Sequence, residues 1–502
     1  NGAVNTSFNL AHLRILNAQT AIQIIQGNNG HSIRHAQLVN CGTGLNTSGN
    51  TVSVHNALMV NVLTNFIASS SVGDLEHLTS DGGNVFQTGF TTLGVTNSII
   101  AGVTSVNVGT STNQVAVLAS SSGVFKNLSL GSSHYLSDAS SYRNIGTSGI
   151  NPVLAADLLD LTTYAPAELG TNAAISGSVT LKPVVQRDID QPDVGYHYDS
   201  LDYLAKNISL GSGATLNLVN GAAVGFYGTS GITPGTNGAV VSTGLPENLN
   251  RLTLLNTVFE QPQYWISSTA GFTLINGPGQ NLRFTDVAFL AASTAGRQMG
   301  PSVLSGTMNV QDCQLRGAYW QYYNYSGSGS SGATINVRNT LFERCTLDWY
   351  QGYVGTPYYF TLGLQNNLFS RSSITLNHCS YYYGLWNAYD NLFDSATGSL
   401  TEFSGGGGNV PWTNFGCNGY ISTTRFLSGT GDKTGLLRDF ISGPLGDYYY
   451  PTNSTANSLS TLIHADTNRS PGDSGIGLYH YTTTLDQAKE AGNALSVGLH
   501  YV

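Results

Sequence analysis

The chain has 502 residues, of which 40% are hydrophobic and only 9% charged, with 60 glycines and a formal net charge of −9. Its length exceeds the size at which one compact core stops growing, so it calls for several domains or a repeat architecture, and its hydrophobic content excludes a disordered polar chain. Nineteen Lys and Arg without a basic run exclude a nucleic-acid binder, and no run of roughly 18 or more apolar residues offers a membrane span.

The chain opens at Asn1 without an initiator Met or a signal peptide and reaches a strand-like run, Leu13-Arg14-Ile15, almost at once. That start is expected of a processed or excerpted piece of a longer protein. From there a frame of hydrophobic, x, hydrophobic, x, Asn/Asp/His recurs: Leu13-x-Ile15-x-Asn17, Ile33-x-His35, Val52-x-Val54-x-Asn56, Leu75-x-His77 and Leu93-x-Val95-x-Asn97. Strict alternation marks half-buried strands, and one recurrence per roughly 20 residues fits one turn of a β-solenoid whose strands stack in parallel. The Asn, Asp and His at the strand ends form a structural ladder, each side chain bonding turn backbone and its neighbours one rung away.

Asp193-Val194-Gly195-Tyr196-His197-Tyr198 closes this series and is echoed by Gly477-Leu478-Tyr479-His480-Tyr481 and by Val497-Gly498-Leu499-His500-Tyr501. Similarly, Leu130-Gly131 to Leu136 is echoed by Leu445-Gly446 to Pro451. Two modules follow, 1–204 and 205–502, with Ile208-Ser209-Leu210 starting the second series. The second module keeps the frame with longer loops, through Leu252-x-Leu254-x-Asn256, Leu282-x-Phe284-x-Asp286, Met308-x-Val310-x-Asp312, Ile335-x-Val337-x-Asn339, Leu362-x-Leu364-x-Asn366 and Trp386-x-Ala388-x-Asp390. Leu13, Ile15, Val52, Val54, Leu252, Leu254, Val337 and Leu364 are expected to point inward.

Five cysteines, Cys41, Cys313, Cys345, Cys379 and Cys417, lack metal-site spacing and cannot all pair within the chain, so they are expected to be core fillers.

Frame and module ends together resemble the right-handed parallel β-helix, or pectin-lyase-like, superfamily. Arg187-Asp188-Ile189-Asp190 with Pro192-Asp193-Val194-Gly195 is similar to the terminal motif of many bacterial members. The Gly-Tyr-His-Tyr modules resemble repeats of very long secreted bacterial surface proteins. The resemblance implies an all-β fold, a right-handed parallel β-helix of two consecutive modules, and an extracellular or cell-surface bacterial setting. It leaves activity open, since that superfamily holds lyases, hydrolases, tailspikes, adhesins and spacers.

Three groups are candidates for function. Arg34, His55 and Glu76 precede the ladder position on successive rungs, with Asp74 beside Glu76. In register they lie close enough for a base, an orienting carboxylate and a cation, or else for a charge-complementary surface ladder. In the second module the corresponding outward residues, Leu255, Thr285, Gln311, Arg338, Gln365 and Asn377, include no carboxylate. Asp188, Asp190 and Asp193 are dense enough to hold a hard cation, or to cap a turn. Finally, Trp320 and Tyr322, Trp349 and Tyr353, and Tyr382 and Trp386 recur with the rungs, as a recognition stripe for a partner subunit or sugar rings, or as packing. The expectation is a non-enzymatic extracellular structural or adhesive solenoid that associates with itself, with neighbouring surface proteins or with polysaccharide, and needs no cofactor. The alternative is a polysaccharide lyase or glycoside hydrolase.

Overall fold

The structure is a computed structural model. It describes residues 6–25, 27, 29–128, 133–260, 271–277, 279–289, 297–300, 306–324, 332–351, 360–379, 385–403, 415–453, 455–466, 469–472, 477–490, 492 and 494–502. Strands hold 52% of the chain and helices 4%, wound as a parallel β-solenoid of about 14 turns. Two compact units divide the chain: Asn1–Ala167 with Val184–Asp202 and Val258–Gln263, and Glu168–Pro183 with Tyr203–Thr257 and Tyr264–Val502.

The first unit is built from β1 (Asn9–Leu16), β2 (Thr20–Ile24), β3 (Gly30–Val39), β4 (Thr43–Ser48), β5 (Thr51–Val60), β6 (Thr64–Asp81), β7 (Val85–Ala101) and β8 (Ser111–Leu118). Parallel pairing runs β1, β3, β5, β6, β7, β8 along one side, and β2, β4 and β6 along another. The alternation of apolar residues explains the coil, because Ile33, Val54, Leu75 and Val95 share one register and are all buried. Val52 is buried beside them, while Leu13 and Ile15 on the first rung are half-buried and pack against the same core.

At one corner each rung turns on a residue in the left-handed region: His12, His35, Asn56, His77, Asn97 and Gln114, with φ between 48° and 54°. Short polar side chains tolerate this conformation because they bond locally. Asn56 Nδ2 lies 3.0 Å from His35 Nδ1, and Asn97 Nδ2 lies 2.9 Å from His77 Nε2. The register places His12 in this column. Asn17 stands at the next corner of the same rung, in line with Asn40 and Asn61, so the first repeat of the sequence frame is offset.

The second unit stacks three parallel sheets. Its walls include Tyr203–Ala205 to Gly419–Ile421, Ala173–Ile175 to Thr397–Phe403, and Val179–Leu181 to Phe415–Gly416. The left-handed turn column is Phe284, Asp312, Asn339, Asn366, Asp390 and Cys417. Leu282 pairs with Val310, then Val337, Leu364 and Ala388. The last four sequence frames are therefore in register, whereas the frame through Phe284 slips by two residues and Leu252 belongs to a different sheet, paired with Val287. Leu252, Leu254, Val337 and Leu364 are buried as expected. Phe342, Phe369, Phe393 and Tyr420 stack inside, with ring centroids 4.8, 5.1 and 5.2 Å apart.

Cys41, Cys313 and Cys345 are buried and Cys417 half-buried, all four as free thiols; burial pushes the Cys313 and Cys345 thiols up to about 12. Among the described residues no helix is long and apolar enough to cross a membrane.

Candidate functional site

Arg34, His55 and Glu76 lie in direct register on β3, β5 and β6. They are not an open catalytic face. The short helix α1 (Pro152–Leu158) and the residue before it cover them: Asn151 N–H donates to Glu76 Oε1 and Oε2 at 3.1 and 3.0 Å, and Arg34 donates to Asp157 Oδ2 at 2.9 Å. Burial pushes the Glu76 carboxyl up, against the opposing pull of the Asn151 N–H. His55 Nε2 stands 3.6 Å from Asp74 Oδ2 and 3.7 Å from Glu76 Oε2, beyond hydrogen-bond length. The covering residues follow β8 in sequence, more than a hundred residues after Arg34, and no motif announces them.

Asp188 and Asp193 belong to a packed hydrogen-bond network. His197 Nε2 contacts Asp188 Oδ2 at 2.7 Å, Asp193 N–H donates to the same oxygen at 3.0 Å, and Asp193 accepts from Asn144 N–H at 2.8 Å and from the Thr163 hydroxyl. Asp190 is exposed and turned away, accepting from Gln186. The three aspartates therefore do not converge as a carboxylate cage.

That network anchors a strap. Gly195–Tyr198 crosses the rungs, with Gly195 N–H donating to Asn97 O at 2.9 Å, His197 N–H to Asn56 Oδ1 at 2.7 Å, and Asn56 Nδ2 to His197 O at 2.9 Å. The second unit repeats it. Gly498 N–H donates to Asp390 O at 2.7 Å, His500 N–H to Asn339 Oδ1 at 2.7 Å, and Asn339 Nδ2 to His500 O at 3.0 Å. Gly195 and Gly498 have φ of 103° and 96°, and a Cβ at either would meet Thr79 or Tyr450.

The aromatic stripe is corrected by the structure. Trp320, Tyr322, Trp349 and Trp386 are at most 2% exposed and belong to the core of the coil. They alternate inward along their strands, so the outward places go to Tyr319, Gln321 and Tyr323 and to Thr346, Asp348 and Tyr350. Tyr353 and Tyr382 lie outside the described residues.

What the second unit does expose is a groove of about 900 Å³ on the outer face of the sheet that contains Gln280–Arg283, Gly306–Gln311, Ala333–Arg338, Phe360–Gln365 and Trp386–Tyr389. One column along it is Asn281, Asn309, Asn336, Gly363 and Asn387, and the other is Arg283, Gln311, Arg338, Gln365 and Tyr389. The outward column expected from sequence held Gln311, Arg338 and Gln365. The frame slip had put Thr285 in place of Arg283, and Asn377 belongs to another sheet, in register with Tyr350.

Amides chain along the first column, Asn309 Nδ2 to Asn281 Oδ1 at 2.7 Å and Asn336 Nδ2 to Asn309 Oδ1 at 3.0 Å. The charges in the second column are unevenly paired. Arg283 donates to Asp312 Oδ2 at 3.0 Å, and Tyr481 OH donates to the same oxygen at 2.9 Å; burial and then that carboxylate push the phenol up to about 12, so it stays protonated at neutral pH. Arg469 stacks on Tyr389, 4.2 Å from the ring centroid, and bonds Asp466 at 2.7 Å. Among the described residues Arg338 donates to the neutral amide of Gln311 and to no carboxylate.

No family model, no curated protein and no solved structure matches this chain.

Proposed function

We propose that the chain is a non-enzymatic, extracellular adhesive solenoid of a bacterial surface, holding an extended, acid-bearing polysaccharide along the groove of its second unit. The carrying observation is Arg338, a half-buried guanidinium whose partner among the described residues is a neutral amide, standing in the second column of the groove beside the asparagine column. A desolvated cation of this kind is suited to a carboxylate, which it takes through two parallel hydrogen bonds. Amides spaced by about 4.8 Å along a rigid stack suit the repeating hydroxyls of a sugar chain, and a rigid face loses little ordering entropy on contact. The likeness of the repeat frame to the pectin-lyase-like superfamily, and of the module ends to long secreted surface proteins, supports the extracellular setting.

Absence of turnover is part of the proposal. It is supported by the cover over Glu76 and by the engagement of Asp312 with Arg283 and Tyr481. The test is affinity electrophoresis in gels containing a uronate-bearing or a neutral polysaccharide, beside an assay for unsaturated products and new reducing ends. Retardation in the acidic gel, weakened by salt and by Arg338→Gln, is expected. Products that vanish in Glu76→Gln or His55→Ala would replace this reading with a lyase or a hydrolase.

A further inference from the structure

We propose that His55, Asp74 and Glu76 form a binding site for a divalent first-row transition-metal ion, with zinc as its probe. One imidazole nitrogen and two carboxylates, all with donor atoms within 4.8 Å of one another, converge from β5 and β6. The spacing follows from the fold. Glu76 sits directly beside His55 across the parallel pair, and Asp74 projects from the same face two residues earlier.

The independent observation is His55 itself. Its side chain is 4% exposed, and neither ring nitrogen has a hydrogen-bond partner among the described residues. Buried polar groups are ordinarily paired, so this imidazole is placed for something other than a hydrogen bond. Its Nε2 faces two carboxylate oxygens at 3.6 and 3.7 Å, too far for direct bonding. Donors bound tetrahedrally to zinc at about 2.0–2.2 Å stand roughly 3.4 Å apart, so the two imidazole–carboxylate separations need to shorten only slightly, and the exposed Asp74 side chain has the freedom to close on Glu76 from within 4.8 Å.

Charge and access agree with this. Two carboxylates beside one imidazole suit a divalent ion, and the mixed nitrogen and oxygen donors suit zinc and its neighbours better than calcium. Glu76 is fixed from behind by the Asn151 N–H. The Asp74 side chain is 52% exposed and gives the ion a way in from solvent, leaving room there for a water as fourth ligand. Arg34, on the next rung, is held by Asp157 and does not fill the space.

Two other clusters of the described residues lack these features. In Asp188, Asp193 and His197 the imidazole already bonds the carboxylate at 2.7 Å. Beside Asp390, Cys417 and Asp466 the guanidinium of Arg469 lies against both acids and supplies the positive charge.

The experiment uses the full chain, stripped with a chelator, dialysed against micromolar zinc and then against metal-free buffer. Zinc is counted by mass spectrometry and thermal unfolding is followed with and without the ion. About one zinc per chain and a raised midpoint are expected, since an ion that binds only the folded state stabilises it. Asp74→Asn, altered at an exposed side chain, and His55→Gln should each lose more affinity than the roughly 10–100-fold that follows removal of an outer-shell partner. Asp188→Asn should keep the zinc, and a cobalt-substituted chain should show visible absorption that His55→Gln removes. Failure of the full chain to retain zinc, or equal retention by a folded Asp74→Asn chain, would overturn the site. The groove of the second unit is untouched by either outcome.

Discussion

In both units one outward column stands immediately before the left-handed turn ladder, and in both a Gly-x-His-Tyr strap docks on that ladder through an asparagine, Asn56 in one case and Asn339 in the other. The columns differ in what lies over them. In the first unit Asn151 and Asp157 engage Glu76 and Arg34, whereas in the second Arg283, Gln311, Arg338, Gln365 and Tyr389 line an open groove. The same repeat thus yields a covered charge cluster or an open face according to the chain that returns across it. The repeat builds the wall and the long connections decide its use.

The interiors differ as well, and breaking them should give the largest effects. The second unit fills its coil with Trp320, Trp349 and Trp386, and the first with Val54, Leu75 and Val95. Trp349→Ala should cost about 3–5 kcal/mol in urea unfolding and Leu75→Ala about 2–5 kcal/mol. Tyr350→Ala, on the outward side of the same strand as Trp349, should stay near 1 kcal/mol or less. An equal cost for Trp349 and Tyr350 would mean that the inward alternation is wrong.

The straps test whether the two closures are equivalent. Asn56→Ala and Asn339→Ala each strand a buried N–H and a buried carbonyl of the strap, at about 1–3 kcal/mol for each unsatisfied group. Limited proteolysis should cut near His197 in the first variant and near His500 in the second. Unequal losses would show that the echo between Gly-Tyr-His-Tyr and Gly-Leu-His-Tyr is one of sequence alone.

A smaller effect should separate the straps by pH. In the first unit Tyr198 OH bonds Glu260 at 2.8 Å, and His134 lies between Glu260 and Asp81 at 2.8 and 3.0 Å. Burial would lower the His134 value, but the two carboxylates outweigh it and raise it from 6.5 to about 9. Because the folded value is the higher, this contribution is complete below about 6.5 and is lost as pH rises through about 9. In the second unit burial would raise Glu490, yet His500 holds it below its ordinary 4.5. Its contribution is present above 4.5 and is lost as pH falls below that value. Tyrosine fluorescence should report loosening of the first strap on the alkaline side, and proteolysis at His500 loosening of the second on the acid side. His134→Gln should remove the alkaline step alone.

Much of the fold was legible because burial inside a coil enforces a period of two within strands and a recurrence between rungs. Val54, Leu75, Val337 and Leu364 obey both. The column Arg34, His55, Glu76 was legible for the same reason. The slip at Leu282 was not, because Phe284 is an apolar residue in a turn position that its neighbours fill with Asp or Asn, and an alternating pattern has no internal mark of which member turns. It hid Arg283, while Tyr389 was missed because Asn377, on another sheet, stood in its place in the sequence column. The aromatic stripe misled because Trp320 and Tyr323 recur with the same rung period, and facing is set by odd or even position within each strand. Asn151, Asp157 and Glu260 reach their partners through long connections, for which sequence carries no register.

The smallest expected effect bears most directly on the open column. Gly363 interrupts the amide ladder between Asn336 and Asn387, and a Cβ built there would come 3.1 Å from Asn336 Oδ1. Gly363→Asn restores a side chain where strand backbone gains from losing glycine's freedom, while the tight contact takes back a similar amount. The net change in stability should stay within about 0.5 kcal/mol. If the ladder served only to hold adjacent rungs together, completing it would leave retardation in an acidic-polysaccharide gel unchanged. If the gap is where the sugar chain comes closest to the sheet, an added amide fills that space beside Arg338, and retardation should fall while the urea midpoint does not move. Loss of retention together with a shifted midpoint would instead assign Gly363 to packing, and the open column of the second unit would then be as structural as the covered one of the first.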